Sequence, residues 1–154
     1  MADLLNIVLI EPRIPQNTGN IGRLCVALNA NLHLIYPLGF SISQKELKRA
    51  GMDYWQFLNY FEWDNLEHFW RSNPLDSNHF FLSTKANQIY FNANFKDNCF
   101  LYFGREDAGI DEVILKNNMD RVFKIPMQDN ARSLNLANSV AIVAYEALRQ
   151  INFS

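Results

Sequence analysis

The feature that most constrains this chain is a repeated alternation of a short apolar run, a stop and a helical pattern. Asn6-Ile-Val-Leu-Ile10 is a continuous, mostly β-branched run halted by Glu11-Pro12. A run apolar on both faces predicts a strand covered on both sides, as in a parallel sheet. The period then changes: over 17–29, Ile21, Leu24, Cys25 and Leu28 fall at i, i+3, i+4 and i+7 and make one helical stripe. Further strands are predicted over 32–36, 57–61, 79–84, 98–103 and 121–125. Helices are predicted over 43–50 (Ser43 cap, Gly51 stop), 64–71 (Asp64 cap), 111–117 (Asp111 cap) and 135–151. Strand and helix in alternation predict an α/β domain with a mostly parallel sheet. The prolines at 12, 15, 37, 74 and 126 fall between periodic segments, so they mark joints inside a single domain, 1–154.

Composition removes several alternatives. The chain has 154 residues, 49% hydrophobic and 14% aromatic, too apolar for a disordered segment and long enough to bury a core without cross-links. Cys25 and Cys99 are too few for a disulfide framework. His33, His68 and His79 are scattered, and no metal site is expected. No apolar run approaches the roughly 20 residues of a membrane span, and Met1-Ala2-Asp3 carries no basic leader, so the expectation is a cytoplasmic protein off the membrane. The net charge is −2, so nucleic-acid binding by bulk charge is not expected. Local cations would have to grip phosphates, and Lys45, Lys48 and Arg49 are the candidate patch.

Ligands of open α/β sheets sit beyond the carboxyl ends of strands, which directs attention to 11–18, 85–87, 104–109 and 126–135. In the first, Glu11-Pro-Arg-Ile-Pro-Gln-Asn-Thr-Gly-Asn-Ile-Gly-Arg23, Asn17 or Thr18 can cap a helix whose free N–H groups suit an anion. Gly19-x-x-Gly22 is neither a dinucleotide fingerprint nor a P-loop. Arg23 lies off the apolar stripe, as a solvated arginine or a functional one. Phe103-Gly-Arg-Glu-Asp-Ala-Gly-Ile110 reads as a plain strand-to-helix turn or as a wall that a ligand can approach closely at glycine. In Ile125-Pro-Met-Gln-Asp-Asn-Ala-Arg-Ser-Leu-Asn135, Ser133 is either a helix cap or, with Arg132 and Asn135, part of a donor cluster. The last helix carries an apolar stripe (Leu136, Val140, Val143, Ala147, Ile151) and a small-residue flank (Ala137, Ala141, Ala144, Leu148). That is more apolar surface than one face requires, and predicts a two-fold homodimer through this helix unless the helix is simply central to the core. Tyr145 shares the opposite face with Asn138.

Taken together, 6–25, Phe103-Gly-Arg-Glu106, Ile125-Pro-Met127 and Arg132-Ser-Leu-Asn-Leu136 resemble the SPOUT methyltransferases, and most nearly the single-domain SpoU-type branch that methylates the wobble nucleotide of tRNA. Arg49-Ala-Gly-Met-Asp-Tyr54 and Val143-Ala-Tyr-Glu-Ala147 also resemble that branch. The resemblance implies a Rossmann-like parallel sheet with a C-terminal trefoil knot and S-adenosylmethionine as methyl donor. It further implies a homodimer and, as acceptor, the ribose 2′-hydroxyl of nucleotide 34 (cytidine or modified uridine) in the anticodon stem-loop. It implies a catalytic set of Arg23, Asn17, Glu106, Ser133, Asn135 and Tyr145. The donor would be held by Leu82, Gly104, Ile125 and Ser133, and RNA by Arg23, Lys45, Lys48, Arg49 and Arg132. Arg23 would act at the partner subunit's site. The chain departs from the branch at Gly104-Arg-Glu-Asp-Ala-Gly109, where the usual order is Gly-Pro-Glu-Thr-Arg-Gly.

Overall fold

A computed structural model describes residues 5–43 and 53–153. Seven strands form one sheet in which every pairing is parallel: β1 (Leu5–Ile10), β2 (Asn31–Ile35), β3 (Tyr60–Trp63), β4 (His79–Leu82), β5 (Gln88–Ile89), β6 (Cys99–Phe103) and β7 (Val122–Lys124). Their spatial order is β3-β2-β1-β6-β4-β7-β5. The centre of the sheet is β1-β6-β4-β7, and those strands are the most apolar in the sequence. Strand β5 has only two residues and was not anticipated, because its Gln88-Ile89 lacks any apolar run.

The strand period of two sends alternate side chains into two cores. Leu5, Ile7 and Leu9 join the core beneath helices α1 (Pro15–Leu28) and α4 (Leu136–Asn152). Val8 and Ile10 join the opposite core, covered by α2 (Leu66–Ser72) and α3 (Glu112–Asn117). Helix α1 uses the stripe read from the sequence, with Ile21, Cys25 and Leu28 buried against α4.

Three helix starts differ from expectation. Helix α1 begins at Pro15, and Ile14 at its N-cap has no side-chain cap, so Asn17 and Thr18 lie buried inside the first turn. Proline at the first helical position was the available signal. Helix α2 is capped by Asn65, whose side chain accepts from His68 N–H at 2.8 Å, instead of by Asp64. Helix α4 is capped by Asn135 through Asn138 N–H, which leaves Ser133 outside the helix. Strand β3 starts at Tyr60, with 53–57 wound into a 3₁₀ turn. Asp111 caps α3 as expected. The helix predicted over 43–50, and with it Lys45, Lys48 and Arg49, lies outside the described residues apart from Ser43.

The small-residue flank of α4 is not a free surface. Ala144 and Leu148 are buried inside this one chain, and Ala137 and Ala141 are half-buried, because α4 packs directly on α1 and the sheet. The large hydrophobic side chains that α4 leaves exposed are Ile142 and Tyr145.

Two histidines are buried on the α2–α3 side. His33 Nδ1 accepts from Trp63 Nε1–H at 3.1 Å, so its Nε2–H donates to Asn6 Oδ1 at 3.1 Å. His79 Nδ1 accepts from the Tyr102 hydroxyl at 2.7 Å, which in turn accepts from Trp70 Nε1–H. Burial pushes both imidazoles down to about 4.

Candidate active site

A cavity of about 470 Å³ opens at the carboxyl ends of β1, β6, β4 and β7. Each of its walls is a segment that follows one of these strands. Ile14 and Asn17 come after β1, Leu82–Lys85 from the end of β4, Phe103–Ile110 from β6, and Ile125, Met127 and Ser133–Leu136 after β7. Its volume is that of an ordinary small-molecule site, and its lining mixes apolar side chains with backbone and hydroxyl groups.

The β6 loop is built by two glycines. A Cβ on Gly104 would lie 2.2 Å from the carbonyl carbon of Gly109, so only glycine allows the loop to close on itself. Gly109 has φ +71°, and its N–H donates to the Arg105 carbonyl at 2.9 Å. This fold-back holds Glu106 pointing across to α1.

There one carboxylate does what the helix's own cap does not. Glu106 accepts from the backbone N–H groups of Arg13 and Ile14 at 2.8 and 2.9 Å, and from Asn17 Nδ2–H at 3.3 Å. An acid at a helix N-terminus satisfies orphan donors and suits the dipole. Asn17 Oδ1 then accepts from Asn135 Nδ2–H at 3.1 Å, while Asn135 Oδ1 caps α4. The chain Glu106–Asn17–Asn135 therefore ties three distant segments into one frame. All three side chains are committed to one another, which makes them struts of the cavity.

Of the residues expected to hold a methyl donor, Leu82, Gly104, Ile125 and Ser133 all line the cavity. Of the expected catalytic set, Asn17, Glu106, Ser133 and Asn135 line it, whereas Arg23 and Tyr145 do not; nor does Arg132, expected to bind RNA. Arg23 is exposed on α1, with its guanidinium carbon 5.2 Å from the centroid of the Tyr54 ring. Tyr145 is half-exposed on α4, and Arg132 is exposed in the loop before it. Ile14 and Lys85 also line the cavity and fall in the strand-end segments 11–18 and 85–87 singled out by the sequence, whereas Ser139, inside α4, lines it with no spacing signal to mark it.

Charges at the rim are paired. Arg105 grips Asp107 through Nε and one terminal nitrogen at 3.0 and 2.8 Å, and holds its carboxyl below the usual range. Lys85 pairs with Glu112 at 3.0 Å. The two cysteines take no part: both are buried, and burial pushes their thiols up to about 12. Among the described residues there is no group of three or more His, Cys, Asp or Glu that could hold a metal, and no helix is long and apolar enough to cross a membrane.

A parallel sheet whose strand-end loops are knit around one cavity in this way places the protein among the open α/β folds that take their ligand at the carboxyl ends of the strands. The chain belongs to the SpoU rRNA Methylase family, whose pattern matches residues 4–145. Among its relatives, a protein of Geobacillus stearothermophilus provisionally named tRNA (cytidine(34)-2′-O)-methyltransferase is 48% identical over 153 residues, covering 97% of this chain and 96% of the relative. A solved structure described as giving structural insights into the 2-OH methylation of C/U34 on tRNA superposes with a TM-score of 0.85 at 40% identity, covering 95% of both chains. An AdoMet-bound rRNA methyltransferase from Sinorhizobium meliloti gives 0.81 at 26% identity, over 95% of this chain and 56% of that one.

Proposed function

We propose that the protein transfers a methyl group from S-adenosylmethionine to the ribose 2′-hydroxyl of nucleotide 34 in tRNA anticodon loops, in the cytoplasm. The observation that carries this is the cavity itself. Four segments shared with the methyltransferase family meet around it and are braced by Glu106, Asn17 and Asn135. Its lining fits a nucleoside with a charged tail: apolar walls at Leu82 and Ile125, a hydroxyl at Ser133 and close-packed backbone at Gly104. Those four residues would hold the donor, which when bound supplies an electrophilic methyl on a cationic sulfur.

A ribose hydroxyl is a weak nucleophile, so the protein's task is to align it and to ease loss of its proton. Arg23 is the group suited to the second part. A guanidinium with a pKa above 12 does not normally act as a base, but it can clamp a phosphate and stabilise developing negative charge on oxygen. Arg23 stands outside its own chain's cavity, which supports a dimer in which each Arg23 serves the partner's site. The exposed Ile142 and Tyr145 on α4 support the same pairing. Arg132, at the cavity-side loop, is a candidate phosphate contact. The family's C-terminal trefoil knot fits the chain's course, since segment 125–135 passes beside the 104–110 loop before α4 begins. A single-stranded loop suits such an enzyme, because only RNA offers the 2′-hydroxyl and its unpaired bases can be splayed out.

The test is to incubate the pure protein with labelled S-adenosylmethionine and total tRNA and to map the labelled nucleotide. Label at position 34 is the expected result. Label at another ribose moves the target to a different RNA site, and no label in any RNA removes the reading. Arg23→Ala is expected to leave the melting temperature and donor affinity intact while cutting turnover by several orders of magnitude; a lost fold would make Arg23 structural.

A further inference from the structure

Segment 49–54 resembles the wobble branch. Its last residue, Tyr54, stands in the 3₁₀ turn Asp53–Phe57, half-buried against the core beneath α1. The approach depends on Gly22. A Cβ there would come within 3.3 Å of the side chains of Tyr54, Trp55 and Leu58, so the missing side chain lets the turn close on α1 one residue before Arg23. The guanidinium carbon of Arg23 consequently lies 5.2 Å from the centre of the Tyr54 ring, inside the roughly 6 Å reach of a cation–π contact.

The kind of partner matters. Arg105 and Arg149 are each gripped by a carboxylate through two nitrogens, Asp107 and Glu146, which occupies their donors and cancels their charge. Arg23 has no ion pair among the described residues. The aromatic face restrains the guanidinium, and the Tyr54 hydroxyl accepts a hydrogen bond from Arg23, which leaves the remaining guanidinium N–H donors for an oxyanion. Burial also holds the Tyr54 phenol above its ordinary pKa, against the opposing pull of Arg23, so it stays neutral beside the cation.

We infer that Tyr54 is the positioning residue for Arg23: its ring face fixes the guanidinium in the orientation that meets the substrate's phosphate and ribose oxygens. This rests on the methyl-transfer reading of Arg23 given above, and the experiment separates the two. Tyr54→Leu in the full chain is expected to lower kcat on an anticodon stem-loop by about three- to ten-fold, the worth of one cation–π contact, with donor Kd unchanged. Tyr54→Phe keeps the face and loses only the hydroxyl's hydrogen bond, so its kcat should fall between those of the wild type and Tyr54→Leu. Adding Tyr54→Leu to Arg23→Ala should cost nothing more. NMR gives a readout free of activity: the Arg23 δ-protons should carry an upfield ring-current shift that survives Tyr54→Phe and vanishes in Tyr54→Leu. An unchanged kcat in Tyr54→Leu overturns the inference. So does a Tyr54→Phe variant as slow as Tyr54→Leu, which would assign the effect to the hydroxyl. Should Tyr54→Leu not fold, the shift in the wild-type protein decides, and its absence overturns the contact. If the wild-type protein labels no RNA, the methyl-transfer reading falls and this role with it, while a persisting shift marks the pair as purely structural.

Discussion

Glu106 answers a need created elsewhere in the chain. Helix α1 starts on Pro15 behind a capless Ile14, so its end depends on a carboxylate 92 positions away. Glu106→Ala should cost about 1–2 kcal/mol, because two half-buried donors and one exposed donor would lose their acceptor. Urea unfolding measures the loss, and titration with S-adenosylmethionine should show weakened binding as the loops part. Glu106→Gln, which keeps one acceptor oxygen, should recover most of the stability. A Glu106→Ala protein as stable as the wild type would mean the frame carries no load. Gly104 is the other decisive residue. Gly104→Ala drives a methyl group into the Gly109 backbone at 2.2 Å, so donor binding should be lost even where circular dichroism reports an intact sheet.

At the scale of elements, α4 is the case where geometry overrules composition. Its small residues read as an outward seam, yet Leu148 is only 8% exposed and belongs to the main core. Leu148→Glu should therefore unfold the chain, by burying an unpaired charge, instead of merely parting a dimer. Ile142→Glu is the substitution that tests the pairing. It lies on the exposed face and should yield a monomer by sedimentation with melting unchanged; a persisting dimer would put the contact on another face. Strands β1, β2, β4, β6 and β7 were legible because a run buried on both faces leaves an apolar signature. The helix stripes were legible from their period, and so were the loops that form the site, because a parallel sheet leaves its ligand little choice of edge. Strand β5 and the starts of α1, α2 and α4 were not, since Asn65, Asn135 and the capless Ile14 are chosen by local geometry among several polar neighbours. Nor could spacing show that Asn17, Glu106 and Asn135 spend their hydrogen bonds on one another.

For the whole molecule, the two buried histidines set how it answers to acid. Both have folded-state values of about 4, below the ordinary 6.5 of an unfolded histidine. Above pH 6.5 neither state binds the proton, and their contribution to stability is complete. As pH falls from 6.5 towards 4 the unfolded chain takes up protons that the folded one refuses, at a cost approaching about 3 kcal/mol for each histidine. The urea midpoint should accordingly fall between pH 7 and pH 4.5, and His33→Gln, whose amide can both accept from Trp63 and donate to Asn6, should flatten part of that slope. A midpoint independent of pH would show that the imidazoles are charged in place. The brace between Asn17 and Asn135 joins positions 118 residues apart. During synthesis, α1 and all seven strands precede Asn135, the residue that completes the brace. The pocket is thus complete only once the segment around Asn135 is in place, and a copy cut before it lacks both that strut and the start of α4.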